Sequence, residues 1–217
     1  MQLGAEPQLH RALSALDYVR GEPLDTPREG RYSEFLESLQ LLGRGFVFKE
    51  IVRPFYADVR GRFREPPRRL WPRIVPTLAV ANDLRRRVCL DPVGDVRLRG
   101  LRVAAAYRPK GGARRSQHKS NAALDLDLLP GDLRHTRWFY EQAVRLWCEY
   151  GAELQMGLGL YCSSRARGGM RVHIDTGFKA RTWQISGGRS LRPFVHLGHP
   201  VPLAVDLAAE LNLVPPL

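Results

Sequence analysis

Cysteine is scarce in this chain. Cys89, Cys148 and Cys162 are the whole complement in 217 residues, and no two of them form a Cys-x-x-Cys pair. An odd, widely spaced set argues against a disulfide framework and against a thiolate zinc knuckle. Long apolar runs are lacking too: nothing approaches the roughly 20 residues that a membrane-spanning helix requires. The first residues, MQLGAEPQLHRALSALDYVRGEP, have no apolar segment behind a basic start, so no secretory signal is expected and no export route can be read. Acidic residues are outnumbered, with 22 Asp and Glu against 34 Lys and Arg, for a net charge of +12. That field favours polyanions such as nucleic acid, anionic lipid, or a cell wall rich in carboxylates and phosphates. No recognised nucleic-acid motif accompanies it.

What remains is ordinary globular material. Hydrophobic residues at 44% and charged residues at 26% exclude wholesale disorder. The length suits a single domain with a sizeable core. A helix over Pro7–Val19 leads into the loop-like GEPLDTPREGR, and Ser33 is placed to cap a helix running to Gly43. Phe46–Pro76 is basic and broken by prolines, so it reads as irregular. Val80, Leu84 and Val88 recur every fourth residue and predict a helix over Thr77–Val88. Strands are expected at Leu98–Tyr107, Ala122–Leu128, Gly157–Tyr161 and Met170–Asp175, with a helix at Thr136–Tyr150. Pro130-Gly131 marks a turn, and CSSRARGG fits a hairpin connection. The chain beyond Trp183 is Gly- and Pro-rich before an amphipathic Leu203–Leu213. Helices first and strands later predict an α+β fold with an antiparallel sheet.

The segment with the most chemistry is Ser116–Asp127, SQHKSNAALDLD. His118 sits on the loop feeding a predicted strand that carries Asp125, and both side chains are good Zn²⁺ ligands. His173, in RVHIDTG on another predicted strand, is a candidate third ligand. Alternation puts Arg171, His173 and Asp175 on one face. A His and an Asp at this spacing also arise by chance, so spacing alone leaves both readings open.

SQHKSNAALD resembles the S-x-H-x-x-G-x-A-x-D signature of the zinc D-Ala-D-Ala carboxypeptidase and dipeptidase family, whose fold is shared with the Hedgehog signalling domain. Ser116, His118, Ala123 and Asp125 fall in place, and Asn121 stands where the family has Gly. Asn is the residue that best tolerates that left-handed position after Gly. Upstream, AAAYRPKGG resembles the family's S-G-Y-R strand end. Downstream, DLLPGD and LGLGLYCSSRARGGMRVHIDTGFKARTW are similar to the YcbK-like murein endopeptidase branch. The likeness covers about Phe46 to Trp183, in order.

The resemblance implies a Hedgehog/DD-peptidase-like fold, a small antiparallel sheet flanked by helices. It implies a zinc peptidase domain over 46–185; outside the likeness, 1–45 reads as an N-terminal helical entry segment and 186–217 as a C-terminal extension packed on the same domain. His118, Asp125 and His173 would hold Zn²⁺. Arg108 would anchor a substrate carboxylate or the tetrahedral intermediate, beside Ser116 on the substrate side. Many relatives carry an acid three residues before the second His; here Met170 stands there and accepts no proton. Asp175 takes its place as candidate base, or orients an imidazole instead. Asp127 is expected as a supporting carboxylate. Peptidoglycan stem peptides or cross-links would be the substrate, and the cell envelope the place of action. Two other classes remain: an inactive zinc-bearing wall-binding module, and a basic nucleic-acid-binding protein. His196 and His199 lie in the Pro-rich tail and His135 beside a helix start, positions that favour structural or exposed roles. Trp183 is a candidate cleft aromatic, Cys162 a small apolar residue, and Arg85–Arg87 and Arg114–Arg115 read as solvated surface.

Overall fold

The computed structural model describes residues 31–38, 51, 65–90, 100–110, 113–129, 133–162, 170–186 and 189–191. The helices whose bounds are described, α1 (Tyr32–Ser38), α2 (Ile74–Leu90) and α3 (Leu133–Tyr150), accompany one six-stranded sheet. Its strands are β1 (Gly100–Ala105), β2 (Ala123–Leu129), β3 (Gly157–Cys162), β4 (Met170–Asp175), β5 (Arg181–Ser186) and β6 (Arg189–Leu191), in the spatial order β1-β2-β4-β3-β5-β6. The class is α+β. Among the described residues no helix is long and apolar enough to cross a membrane. The expected helix at Pro7–Val19, the Pro130-Gly131 turn, residues 163–169 of the CSSRARGG loop, the Leu203–Leu213 stretch, His196 and His199 lie outside the described residues.

Period-two alternation builds the sheet's two faces. Leu124, Leu126 and Leu128 on β2, Leu158 and Leu160 on β3, and Val172 and Ile174 on β4 are all buried. They form one core with Leu78 and Leu84 of α2 and Phe139 and Leu146 of α3. Each such side chain contributes about 1.5–3 kcal/mol by leaving water. The intervening residues, among them Asp125, Asp127, His173 and Asp175, point to the other face. The site is built there.

Several boundaries differ from the sequence reading. Helix α2 starts at Ile74, before Pro76, because a proline in the first turn needs no donor there. The stretch read as irregular contains a 3-10 turn over Arg68–Arg73, pinned by Trp71 Nε1 donating to the Pro66 carbonyl at 2.8 Å. Helix α1 begins at Tyr32, so Ser33 lies within it rather than at its cap; Glu34 accepts from the Arg31 backbone N–H at 2.8 Å instead. Strand β1 stops at Ala105 because its ladder slips between Val103 and Ala105. Such an irregularity bends the strand and re-aims the residues beyond it.

The sheet is mixed, not wholly antiparallel. β4 ends opposite the start of β3. The next five residues turn across that end, and β5 runs beside β3 in parallel, with Gly157 facing Arg181. Chain beyond Trp183 that reads as loop completes β5 and pairs it with β6. A boundary at 185–186 therefore falls inside a strand. At the other end, Tyr32, Phe35 and Leu36 of the N-terminal lead-in are buried in the common core, with Tyr32 and Phe35 against Trp71.

The Arg85–Arg87 cluster is also not simple surface. Arg86 and Arg87 both bond Asp83, which is 1% exposed, and Arg87 reaches on to Glu149 of α3. Arg114 and Arg115, by contrast, are exposed.

Candidate metal centre

Three elements bring the ligand set together. Asp125 on β2 lies directly opposite His173 on β4 in the antiparallel ladder. His118 comes from a 3-10 turn, Gln117–Ser120, that immediately precedes β2. The turn ends at Asn121 with φ 55° and ψ 38°, the left-handed conformation that Asn tolerates best after Gly. Asn121 does more than tolerate it. Its Nδ2 donates to the Leu70 carbonyl at 2.9 Å and to the Tyr32 hydroxyl at 3.2 Å, both in buried surroundings. Burial pushes the Tyr32 phenol up, so the hydroxyl keeps its proton. The histidine-bearing turn is thereby tied to the N-terminal segment. Tyr32→Phe leaves one buried amide hydrogen short of its partner, and a loss of about 1–2 kcal/mol is expected in denaturant unfolding.

One oxygen stands between the two imidazoles. Asp125 Oδ1 is 3.2 Å from His118 Nε2 and 2.8 Å from His173 Nδ1. Donor atoms of all three residues lie within 4.8 Å of one another. Ligands on a tetrahedral ion with bonds near 2.0–2.1 Å are roughly 3.3 Å apart, close to the two distances from Asp125 Oδ1. The outer nitrogens are also committed. His118 Nδ1 donates to the Ala106 carbonyl at 2.7 Å, which turns Nε2 toward Asp125. That carbonyl is presented just beyond the slipped end of β1. His173 Nε2 meets Asp175 Oδ2 at 3.0 Å, the carboxylate–imidazole arrangement that fixes a metal-binding ring and raises its basicity. The buried His–Asp–His group could therefore hold a metal ion.

Electrostatics point the same way. Burial alone would raise the Asp125 carboxyl, but His118 and His173 outweigh it and hold it well below the usual carboxylate range. Burial would lower His173, yet hydrogen bonds and charge from Asp125 and Asp175 push it up to about 9. A cation is what this cluster of carboxylates favours.

The remaining candidates sort by contact. Asp175, 0% exposed, accepts from His173 and, at 2.9 Å, from Arg181 Nη2. Its position on the far nitrogen of the ring, away from Asp125, suits the orienting role over that of a base. Asp127 does not approach the histidines. It is buried between Arg102 and Arg171, where it holds β1, β2 and β4 together. Arg108 donates from its backbone N–H to the His118 carbonyl at 3.0 Å, and its Nη2 stands 3.5 Å from Ser116 Oγ. The side chains of Met170, His135 and Cys162 fall outside the described ones.

Four further contributors come from GLGLY and RTW, within the downstream segment that carries the likeness. Gly157 and Gly159 sit on the polar face of β3, between β4 and β5. A Cβ on Gly157 would lie 2.6 Å from Asp175 Oδ1, and one on Gly159 would lie 2.4 Å from the Trp183 ring. Both are glycine because side chains from β4 and β5 meet over them: Arg181 with Asp175, and Trp183 with His173 at 5.0 Å between ring centres. Arg181 and Tyr161 complete the surround. The alternating GLGL is the sequence signal for such a close approach within a strand. No protein-family model matches the chain, and no curated protein or solved structure matches it either.

Proposed function

We propose that this chain is a zinc peptidase acting on bacterial peptidoglycan, with His118, Asp125 and His173 as the metal ligands. The observation that carries the reading is the convergence of two imidazole nitrogens and one carboxylate oxygen within 4.8 Å of one another, with both outer nitrogens already bonded. Two nitrogens and one oxygen suit Zn²⁺, and three protein ligands leave a fourth position for water, the pattern of catalytic rather than structural zinc. The likeness of SQHKSNAALD and RVHIDTG to the D-Ala-D-Ala peptidase signatures supplies the substrate class, and with it a Hedgehog/DD-peptidase-like fold.

Zinc bound there would polarise the scissile carbonyl and lower the pKa of a water molecule. Hydrolysis would join a water oxygen to the carbonyl carbon and break the carbon–nitrogen bond, with a water proton passing to the leaving amine. Asp175 holds the His173 ring from behind, and Arg181 in turn holds Asp175. Arg108, next to Ser116, offers a guanidinium fork to a stem-peptide carboxylate or to the developing oxyanion. Cross-link cleavage leads the reading, and trimming of terminal D-Ala comes second. Site of action is the cell envelope.

An inactive wall-binding module is the second reading, favoured by Met170 at the usual acidic place and by the engagement of Asp175 with His173 and Arg181. Digestion of purified murein by the zinc-loaded protein, with chromatography of the released muropeptides, tests both. New stem-peptide termini are expected; binding to murein without release favours the inactive module. Strongly salt-dependent binding to DNA or RNA without either favours the nucleic-acid-binding class.

The site also sets a pH dependence for loading. Zinc displaces the His173 proton, whose pKa is about 9 in the metal-free protein. Apparent zinc affinity should rise about tenfold per pH unit through neutrality and level off above that value. Competition with a chelating dye at several pH values measures the slope. A flat profile would mean that His173 is not a ligand.

A further inference from the structure

Tyr161 stands beside the candidate metal ligand His173, and its hydroxyl has a defined hydrogen-bond partner. It lies on the same face of β3 as Gly157 and Gly159, with its ring 6.4 Å from that of His173. Trp183 Nε1 donates to the Tyr161 hydroxyl at 3.1 Å. The indole reaches it by lying over Gly159, the position that admits no Cβ. Because the indole N–H fills an acceptor site on the phenol oxygen, Tyr161's own proton must be directed elsewhere. Asp125, Arg108 and Asp175 all act electrostatically on the phenol, whose ring stands beside that of His173. Burial pushes the phenol up, which keeps it a donor at neutral pH. Accepting a bond from Trp183 also polarises the O–H and strengthens what it donates.

We infer that Tyr161 is a catalytic residue that donates a hydrogen bond to the oxyanion of the tetrahedral intermediate, with Trp183 and Gly159 as its positioning residues. This rests on the peptidase reading. No proton is transferred: the phenol keeps its hydrogen while negative charge builds on the former carbonyl oxygen. Such a donor is worth most where it strengthens only as that charge develops. It assigns an electrophilic role within a site whose carboxylates are already engaged.

Zinc-loaded full-length protein, its Tyr161→Phe variant and a phosphinate pseudodipeptide, a stable tetrahedral anion, make the test. Tyr161→Phe keeps the ring and removes only the hydroxyl. Zinc content and melting temperature should match wild type, phosphinate affinity should fall at least about tenfold, and kcat on murein about a hundredfold with KM nearly constant. Trp183→Phe removes the indole donor alone and should weaken the phosphinate about fivefold, the worth of one hydrogen bond. It carries the test if Tyr161→Phe fails to load zinc. Equal phosphinate affinity in wild type and the variants overturns the inference, as does no phosphinate binding by wild type. Intact murein together with the expected loss of phosphinate affinity removes the substrate reading and supports the role of Tyr161 as an anion donor.

Discussion

His118→Ala should lose both bound metal and hydrolysis of murein while remaining folded. The residue sits on a short turn before β2, so its removal disturbs little of the core beneath the sheet. It nevertheless contributes one of three ligands, and its ring is held at 2% exposure by the Ala106 carbonyl. Removing a mere supporting partner of a metal ligand typically costs 10–100-fold in affinity. Loss of a ligand itself should exceed the upper end of that range, so a drop in zinc affinity of more than about a hundredfold is expected. Hydrolysis should fall below detection at stoichiometric zinc. Circular dichroism spectra of the metal-free variant and metal-free wild type should superimpose. Undiminished activity in this variant would remove the peptidase assignment.

The largest loss of stability should come from the far side of the molecule, at Arg87. Its guanidinium sits between Asp83, 1% exposed, and Glu149 of α3, 43% exposed. Burial works against the charged guanidinium, but Glu149, which leads, and Asp83 together raise it above its ordinary range. The two partners differ in worth. Removing one member of a buried pair leaves an uncompensated charge and costs about 3–5 kcal/mol. An exposed pair is worth at most about 1 kcal/mol. Arg86 and the Tyr150 hydroxyl still serve Asp83, so Arg87→Ala belongs near the lower figure. For a chain of this size, about 3 kcal/mol lowers Tm by roughly 6–12 °C. Glu149→Ala should cost under about 1 kcal/mol. Calorimetry of the two variants separates these terms, and equal effects would mean that the exposed pair, not Asp83, ties α2 to α3.

These two regions differ in how much of them can be read without the fold. The ligand triple is legible because it is encoded locally: a His and an Asp flank one turn and strand, and the second His sits on a strand with strict alternation. Strands β2, β3 and β4 and helices α2 and α3 are legible for the same reason, since each has a strong apolar period. The parallel pairing of β5 is not, because it depends on how five residues cross the end of β3, and β5 has no clean alternation of its own. The Tyr32–Asn121 tie joins residues 89 apart in the chain, which no local pattern reports. Arg87 reads as one of three surface arginines until Asp83 is seen beneath it. Gly157 and Gly159 stand in the quoted likeness, but the reason for glycine there is the pair of side chains that meet over each. The sequence admits two roles for Asp175, and only the partner on its His173 side distinguishes them.

Everything proposed for the chemistry depends on the His–Asp–His cluster taking up a metal ion. Elemental analysis of wild-type protein purified without chelator, with Asp125→Ala prepared alongside, addresses that directly. Close to one zinc ion per chain in wild type and almost none in the variant is the expected result. A wild-type protein that carries no stoichiometric metal and takes up none from added zinc would contradict it.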